Sequence, residues 1–130
     1  HYFSQKKDDF KAYPILPDKN KDGEHRIEGI GDSFIPKIVD LQALSPILRV
    51  KDCDAINISR QINKLGLSVG ISSGANVFGA IIKASSTKNG SNVATILCDD
   101  NKKYLTTDLC SNTEEILTRD IKILDFEILS

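Results

Sequence analysis

The residues with the clearest chemical pattern lie at positions 70–74 and read Gly-Ile-Ser-Ser-Gly. They fit Gly-x-Ser-x-Gly, in which a tight turn between a strand and a helix exposes a nucleophilic serine, here Ser72. A hydrolase of that kind needs an acid and then a histidine later in the chain. The two histidines, His1 and His25, both precede Ser72. The order therefore disfavours acyl transfer and favours a turn of small residues that packs a helix tightly against a sheet.

A second loop contains the start of a metal-binding pattern. Residues 18–23 read Asp-Lys-Asn-Lys-Asp-Gly and match the first half of an EF-hand calcium loop. Gly29 replaces the bidentate glutamate that such a loop needs at its twelfth position, and Pro17 is unfavourable for an incoming helix. We therefore expect a solvated polar connection and no metal site.

A third loop combines two glycines with Ile30. Residues 28–32 read Glu-Gly-Ile-Gly-Asp, so Gly29 and Gly31 form a Gly-x-Gly core. A dinucleotide-binding loop has a third glycine where this chain has Phe34, and that function is therefore disfavoured. Because glycine lacks a side chain, the pair still indicates a backbone that turns sharply or approaches a ligand closely.

These motifs lie among alternating predicted strands and helices. The predicted strands are short, and they cover residues 47–50, 68–71 and 93–98. The predicted helices have apolar residues at helical spacing, and they cover about 53–65 and 74–85. We predict that Asp52 and Ser73 cap the helices and that Gly66 ends the first one. This order predicts an α/β fold: a three-layer domain with a mainly parallel sheet, whose loops at the carboxyl ends of the strands bind ligands.

Several of these elements are expected to supply the core. The strand at 93–98 is almost wholly apolar and is expected to be buried on both faces. Each helix is expected to pack one apolar face on the sheet. These faces comprise Ala55, Ile58, Ile62 and Leu65 on the first helix and Val77, Phe78, Ile81 and Ile82 on the second.

The two ends of the chain show weaker patterns. Residues 10–16 predict a strand that Pro14 weakens, and residues 17–24 predict a polar loop. A short helix is predicted near 104–109. Residues 120–129 alternate roughly between polar and apolar types, which predicts an added strand.

The composition excludes two classes of partner. The 130 residues contain 17 Lys and Arg and 18 Asp and Glu, which gives a net charge of -1. Because no basic surface is expected to hold a phosphate backbone, nucleic acid is excluded as a partner. No apolar run approaches the roughly 20 residues that cross a bilayer, so a membrane partner is excluded as well.

The cysteines and the start of the chain indicate where the protein works. Cys53, Cys98 and Cys110 are an odd number without a Cys-x-x-Cys pair, which argues against a disulfide framework or a zinc site and fits a reducing cytoplasm. The first residues lack the apolar core of a secretory signal. The chain begins with histidine and contains no methionine, so we expect it to be a segment of a larger protein.

Three motifs occur in an order that is more specific than any one of the motifs alone. Residues 25–36 read His-Arg-Ile-Glu-Gly-Ile-Gly-Asp-Ser-Phe-Ile-Pro, residues 69–75 read Val-Gly-Ile-Ser-Ser-Gly-Ala, and residues 104–107 read Tyr-Leu-Thr-Thr. This combination resembles the C-terminal part of the cysteine synthase and cystathionine β-synthase family. The resemblance implies a pyridoxal-phosphate enzyme of fold type II. It also implies that residues 1–109 are the C-terminal part of a cofactor-binding large domain and that residues 110–130 are an extension.

The resemblance assigns roles to two of the motifs. In that family the first serine of the Gly-Ile-Ser-Ser-Gly turn hydrogen-bonds the pyridine nitrogen of the cofactor, and here that residue is Ser72. The loop of Gly29, Ile30 and Gly31 is implied to lie beside the cofactor and substrate. A neutral hydroxyl does not hold the ring nitrogen protonated as a carboxylate would, which favours β-elimination and β-replacement over transamination. The implied reaction joins an activated serine to sulfide or a thiol, in a cytoplasmic homodimer.

Other parts of the family's site fall outside this chain. The Schiff-base lysine, the loop that binds the substrate carboxylate and the Gly-rich loop that cradles the phosphate all precede this segment in the family. We therefore expect no catalytic residue among the 130 residues, and an inactive chain in isolation. Residues 98–104 read Cys-Asp-Asp-Asn-Lys-Lys-Tyr where the family usually has Pro-Asp-Ser-Gly-Glu-Arg-Tyr. Because of these departures, we do not assign this loop an influence on the ring nitrogen of the cofactor.

Two other functions stay open at this point. The first is a non-catalytic interaction domain that retains the α/β scaffold, which the departures at 98–104 and the extension at 110–130 favour. The second is a hydrolase that uses Ser72. The sequence also leaves open which β-substituted serine and which nucleophile the enzyme would use.

Overall fold

The computed structural model of this chain describes residues 10–11, 37–38, 40, 43, 47–107, 109–110, 117, 119–125 and 127. The predicted polar loop at 17–24 and the loop of Gly29, Ile30 and Gly31 lie outside these residues. Most of the predicted strand at 10–16 lies outside them too. Two helices packed on each other form the centre of the described part, and the segments that follow the second helix fold over them.

The described elements follow one another in a simple order. They are the strands β1 (Phe10–Lys11) and β2 (Ile47–Leu48), the helices α1 (Asp52–Lys64) and α2 (Ile71–Ser85), and a 3₁₀ helix (Lys102–Tyr104). The two strands pair in antiparallel orientation, with Phe10 opposite Leu48. The strand predicted at residues 10–16 is thus present at its first two residues. The strand predicted at residues 47–50 is present only at residues 47–48.

Helix α1 begins one residue before the predicted start. Lys51 occupies the N-cap position with an extended backbone, and no side chain caps the helix. The predicted cap, Asp52, is instead the first helical residue. There its carboxylate and that of Asp54 lie in the first turn, where negative charge interacts favourably with the helix dipole. The prediction of Asp52 as the N-cap was wrong because the helical backbone already begins at Asp52, after the extended residue Lys51.

The end of α1 agrees with the sequence prediction. Gly66 has a φ of 97°, a left-handed conformation that favours glycine. The Gly66 N–H donates to Asn63 O at 3.0 Å, and the Leu67 N–H donates to Ile62 O at 3.3 Å. These two bonds form a Schellman motif, which satisfies the last carbonyl groups of the helix.

Helix α2 begins three residues earlier than predicted. Gly70 is its N-cap, with an extended backbone, and the Gly74 N–H donates to Gly70 O at 3.3 Å to close the first turn. Ser73 was predicted to cap the helix, but it lies within the first turn and its hydroxyl contacts the backbone at 98–99. The prediction was wrong because a loop distant in sequence binds this hydroxyl and leaves the serine backbone helical.

The core between the helices forms two clusters of buried side chains. The first comprises Ala55, Ile56, Ile71, Ala75, Tyr104 and Leu109. The second comprises Ile58, Ile62, Val69, Phe78 and Ile82. Of the predicted helix faces, Ala55, Ile58, Ile62, Phe78 and Ile82 are therefore buried as expected. Leu65 is exposed, and it is the C-cap residue, just after the last helical residue of α1.

Glycine at position 74 allows α1 and α2 to approach closely. A Cβ atom there would overlap Ser59 Oγ and Ala55 O of α1, and it would lie 2.9 Å from Ser59 N. The Ser59 hydroxyl lies at this contact, within 2.8 Å of Gly70 O and 3.0 Å of Ala55 O. The start of α2 is thereby held against the middle of α1.

The predicted strands at 68–71 and 93–98 are not found as strands. A strand needs a ladder of backbone hydrogen bonds to a neighbour, and the described residues of these segments carry no such ladder. A backbone bond from the Gly70 N–H to Asp99 O, at 3.0 Å, joins their ends. Residues 94–98 are exposed, so burial on both faces was also a wrong prediction. Apolar sequence favours burial, but burial requires covering layers, which the described part of the chain does not provide for this segment.

The described part of the tail docks on α1 through a side chain. Gln61 Nε2 donates to Ile121 O at 2.8 Å, and Gln61 Oε1 accepts from the Ile123 N–H at 2.7 Å. Both isoleucines pack against the second core cluster. Residues 120–125 and 127 carry no strand, so the predicted added strand is not seen among them. No helix in the described ranges is long and apolar enough to cross a membrane.

Candidate functional site

The loop after residues 93–98 folds over the N-terminus of α2. It brings Asp99 and Tyr104 against Gly70 so closely that a Cβ atom on Gly70 would lie 2.5 Å from Tyr104 Cε2 and 2.6 Å from Asp99 Cγ. Glycine at position 70 is therefore needed for space, since its φ of -85° is open to any residue. The result is a compact group of polar side chains at a helix start, where the backbone N–H groups carry partial positive charge.

Ser72 lies in the first turn of α2 and belongs to this group. It is buried, with 6% of its surface exposed. Its hydroxyl donates to Asp99 Oδ1 at 3.1 Å. This distance is long for an O–H···O bond, so the hydroxyl is held in place by a weak interaction.

Ser73 is fully buried beside Ser72. Its Oγ accepts from the Cys98 N–H at 2.9 Å, and the Asp99 N–H lies 3.4 Å away. The same hydroxyl lies 3.2 Å from Asp99 Oδ1 and 3.3 Å from Asp99 O. Ser73 thus ties the loop to the helix through both backbone and side-chain bonds.

Asp99 is the centre of the group. Tyr104 donates its hydroxyl proton to Asp99 Oδ2 at 2.7 Å, and Lys103 Nζ lies 3.2 Å from the same oxygen. Burial alone would raise the pKa of Asp99, but the hydrogen bonds from Tyr104, Lys103 and Ser72 outweigh it and lower this pKa from 3.8. The carboxyl group is therefore ionised at neutral pH and acts only as an acceptor.

The pKa values of Tyr104 and Lys103, the two groups that contact Asp99 Oδ2, are raised. Burial, followed by the hydrogen bond to Asp99, raises the pKa of Tyr104 above 10.0. The hydrogen bond to Asp99 raises the pKa of Lys103 above 10.5. Both groups keep their protons near neutral pH, so the phenol is a donor and the ammonium is a cation.

We expect acid to destabilise this group through Asp99. Since its folded pKa lies below the model-peptide value of 3.8, the stabilisation is present above that value and is lost as the pH falls through the lowered pKa. Urea unfolding between pH 7 and pH 3 measures this loss. Asp99→Asn should show a shallower loss of stability on acidification than the wild type. Asp100→Asn, at an exposed neighbouring carboxylate, serves as the control and should follow the wild type; an unchanged acid dependence in Asp99→Asn would contradict the assignment.

The chemistry of this group fits an uncharged hydrogen-bonding role for Ser72 toward a ligand. Ser72 is a neutral donor or acceptor, and its nearest basic neighbour is a carboxylate whose pKa is lowered, which makes it a weak base. No histidine is among the described residues, so the geometry supplies no base for a hydrolase that uses Ser72. Within the same residues, no group of three His, Cys, Asp or Glu side chains could hold a metal ion.

The structure places one of the four predicted site residues and adds others. Ser72 lies in the first turn of α2, and its role toward a cofactor stays a prediction, whereas Gly29, Ile30 and Gly31 lie outside the described residues. The sequence prediction missed Asp99. Two features could have identified it as a candidate: it directly follows the apolar segment 93–98, and a tyrosine, Tyr104, lies five residues after it. The family's Asp and Tyr are both retained at 98–104, as Asp99 and Tyr104, and the side chains of both lie against Gly70. The Cys98 N–H, at a position that departs from the family's usual sequence, bonds to Ser73 Oγ as well.

Comparisons with known proteins relate this chain to enzymes of one class. A scan of protein-family models finds none that matches the chain. A solved hydrogen sulfide-producing enzyme from Fusobacterium nucleatum superposes with a TM-score of 0.70 and 45% identity, over 79% of this chain and 31% of that one. A mutant of a hydrogen sulfide-producing enzyme, solved in complex with an alpha-aminoacrylate intermediate, gives a TM-score of 0.67 and 46% identity over 75% of this chain and 29% of that one. The chain thus shares the α/β class of these enzymes.

Relatives found by sequence similarity identify the family. Cysteine synthase B of Campylobacter jejuni is 43% identical over 96 residues, which are 74% of this chain and 31% of that protein. Cysteine synthase 3 of Caenorhabditis elegans is 33% identical over 116 residues, 83% of this chain and 34% of that protein. The chain belongs to the cysteine synthase family, as its motif order predicted. It spans about a third of the length of these relatives.

Proposed function

We propose that the native protein carrying this chain is a pyridoxal-phosphate enzyme of fold type II. It would perform β-elimination and β-replacement on an activated serine, with sulfide or a thiol as the nucleophile. The observation that carries the proposal is the buried hydroxyl of Ser72 in the first turn of α2, in a chain of the cysteine synthase family. This chain would form the side of the cofactor site that faces the pyridine nitrogen.

The described residues fit that role by their hydrogen-bonding capacity. Pyridoxal phosphate, when bound, supplies an electron-withdrawing ring for chemistry at the α-carbon of an amino acid. Ser72 would meet the ring nitrogen with a neutral hydroxyl, which leaves the ring a weaker electron sink than a carboxylate would and favours loss of the β-substituent. Gly29, Ile30 and Gly31 would lie beside the cofactor and the substrate, where absent side chains permit close backbone approach.

The proposal includes the wider organisation of the protein. Residues 1–109 would belong to a three-layer cofactor-binding domain with a mainly parallel sheet, and residues 110–130 would be an extension of it. The lysine that binds the cofactor covalently would lie outside these 130 residues. The protein would work in the cytoplasm as a homodimer, in the biosynthesis of cysteine or of a thioether amino acid.

A non-catalytic interaction domain is the second candidate. The observation that favours it is the exposure of apolar side chains after α2: Ile96 is 72% exposed and Leu97 is 43% exposed. Exposed apolar side chains of this kind are typical of surfaces that bind another polypeptide. In that case the native protein would bind no cofactor.

Activity of the native protein and of the isolated chain tests these proposals. We expect the native protein to carry pyridoxal phosphate, seen by its absorbance, and to form cysteine from acetylserine and sulfide. The isolated 130-residue chain should form none, because the lysine and the phosphate-binding loop would be missing from it. Turnover by the isolated chain would contradict the placement of the lysine. If the native protein carries no cofactor and shows no turnover, the proposal of an enzyme is contradicted and the proposal of an interaction domain is supported.

A further inference from the structure

We propose that Lys103 is a positioning residue that acts through Asp99: its ammonium group balances the charge of this carboxylate and so keeps the ring nitrogen of the cofactor, opposite Ser72, unprotonated. This inference rests on the proposed function of Ser72. It adds a residue that influences which reaction the cofactor favours, and it follows from the charges and contacts around Asp99.

An ionised carboxylate lies directly behind Ser72. Ser72 Oγ is 3.1 Å from Asp99 Oδ1, and the Asp99 side chain is only 16% exposed. A negative charge close to a titratable nitrogen favours its protonated form, and low exposure leaves that interaction less screened by water and salt. Asp99 by itself would therefore favour a protonated ring nitrogen, even though Ser72 would meet that nitrogen with a neutral hydroxyl.

Lys103 supplies a charge of the opposite sign. Its Nζ lies 3.2 Å from Asp99 Oδ2, while the other oxygen, Oδ1, accepts from Ser72. Asp99 is ionised and Lys103 is protonated near neutral pH, because the pKa of the carboxyl group is lowered and the pKa of the ammonium group is raised. The pair has no net charge, so the ammonium group opposes the field of Asp99 at Ser72.

The other described side chains of this group are uncharged near neutral pH. The phenol of Tyr104, which also bonds to Asp99 Oδ2, keeps its proton. The hydroxyl groups that the helices bring to the start of α2 are neutral as well, and they belong to Ser59, Ser72 and Ser73. Among the residues that the structure describes, Lys103 is therefore the cation in contact with Asp99.

The loop at 98–104 retains this charge pair although its sequence differs from the family's usual one. Lys103 stands where the family usually has arginine, and Asp99 stands at the family's aspartate. The neighbouring pair is more exposed: Lys102 Nζ lies 3.7 Å from Asp100 Oδ2, and the two side chains are 82% and 47% exposed. Water screens such a pair, so Lys102 offers a matched control with the same charge.

Nitrogen-15 NMR of the native protein, loaded with pyridoxal phosphate labelled at the ring nitrogen, tests the proposal. The ring signal moves to lower frequency on protonation, so a pH titration gives the midpoint at which half of the rings are protonated. We expect Lys103→Met to raise this midpoint by about half a pH unit, less than the ~1–3 units that a charge in close contact causes, because Lys103 is 53% exposed and acts across Asp99. Added salt should reduce the difference from the wild type.

The comparison variants separate charge from packing. Lys103→Arg keeps the positive charge and should keep the wild-type midpoint. Lys102→Met removes the same charge from the adjacent position and should match the wild type too. Asp99→Asn removes the negative charge and should lower the midpoint.

Each outcome decides one question. A wild-type midpoint in Lys103→Met, equal shifts in Lys103→Met and Lys102→Met, or a raised midpoint in Lys103→Arg would overturn the role of Lys103, and so would a midpoint that Asp99→Asn does not lower. If Lys103→Met does not fold, Lys103→Gln, which also removes the charge, decides by the same midpoint. If Ser72→Ala leaves the ring signal unchanged, the placement of Ser72 at the ring nitrogen fails; a shift in Ser72→Ala without one in Lys103→Met leaves that placement intact.

Discussion

Replacement of Ser72 by alanine is expected to lower turnover of the native protein about 100-fold, the usual size of the effect when a fixed hydrogen-bonding group in a site is removed. Folding should change little. The hydroxyl that is lost makes a 3.1 Å bond to Asp99 Oδ1, and Ser73 lies close enough to the same oxygen to satisfy it. Alanine is also favourable within a helix. Steady-state formation of cysteine and a thermal melt of the same preparation measure the two effects.

Ser85→Ala is the matched control for this prediction. Ser85 is the last residue of α2 and is exposed, and its hydroxyl bonds only locally, to Ile82 O at 2.8 Å. Its removal should leave both turnover and the absorbance of bound cofactor at wild-type values. Wild-type turnover in Ser72→Ala would remove the main support for a cofactor role of this turn. Equal losses in both variants would indicate damage to the helix instead of the site.

Replacement of Gly74 by alanine is expected to destabilise the protein by about 1–3 kcal/mol, the range for forcing a methyl group into a packed contact. The new Cβ atom would overlap Ser59 Oγ and the backbone oxygen of Ala55, and backbone cannot move aside as a flexible side chain can. Separation of α2 from α1 would also displace Ser72, since Ser59 bonds to Gly70 O at 2.8 Å. The free energy of unfolding in urea measures this loss.

Gly79→Ala on the same helix should change the free energy of unfolding in the opposite direction. A Cβ atom there would lie 3.5 Å from Leu48 Cδ2, an ordinary van der Waals contact. Without overlap, the higher helix propensity of alanine should stabilise the protein by up to about 1 kcal/mol. Similar changes in the two variants would show that propensity, and not the contact with α1, determines the effect at position 74.

The site was only partly predictable because its members are distant in sequence. Ser72 was found from the Gly-Ile-Ser-Ser-Gly pattern, which is local. Asp99, 27 residues later, contacts Ser72 only because the loop at 98–104 folds over the start of α2. Sequence alone predicts no role for this loop, because five of its seven residues depart from the family's usual sequence. The two that agree, Asp99 and Tyr104, are the ones whose side chains lie against Gly70.

Local interactions explain what the sequence determined by itself. The helical spacing of Ala55, Ile58 and Ile62 and the glycine at position 66 define α1 and its end, because helix hydrogen bonds and the Schellman motif join residues at most five positions apart. The order of the motifs was also sufficient to identify the family.

Tertiary structure alone decided the remaining features. Whether residues 93–98 form a strand depends on neighbours that pair with it, and whether Leu65 is buried depends on where the partner helix lies. The charge state of Asp99 likewise depends on Tyr104, Lys103 and Ser72, which the fold brings to its two oxygens. Hydrogen bonding between strands, burial and electrostatic interaction act through space, so they follow from the arrangement of the whole chain and not from any one segment.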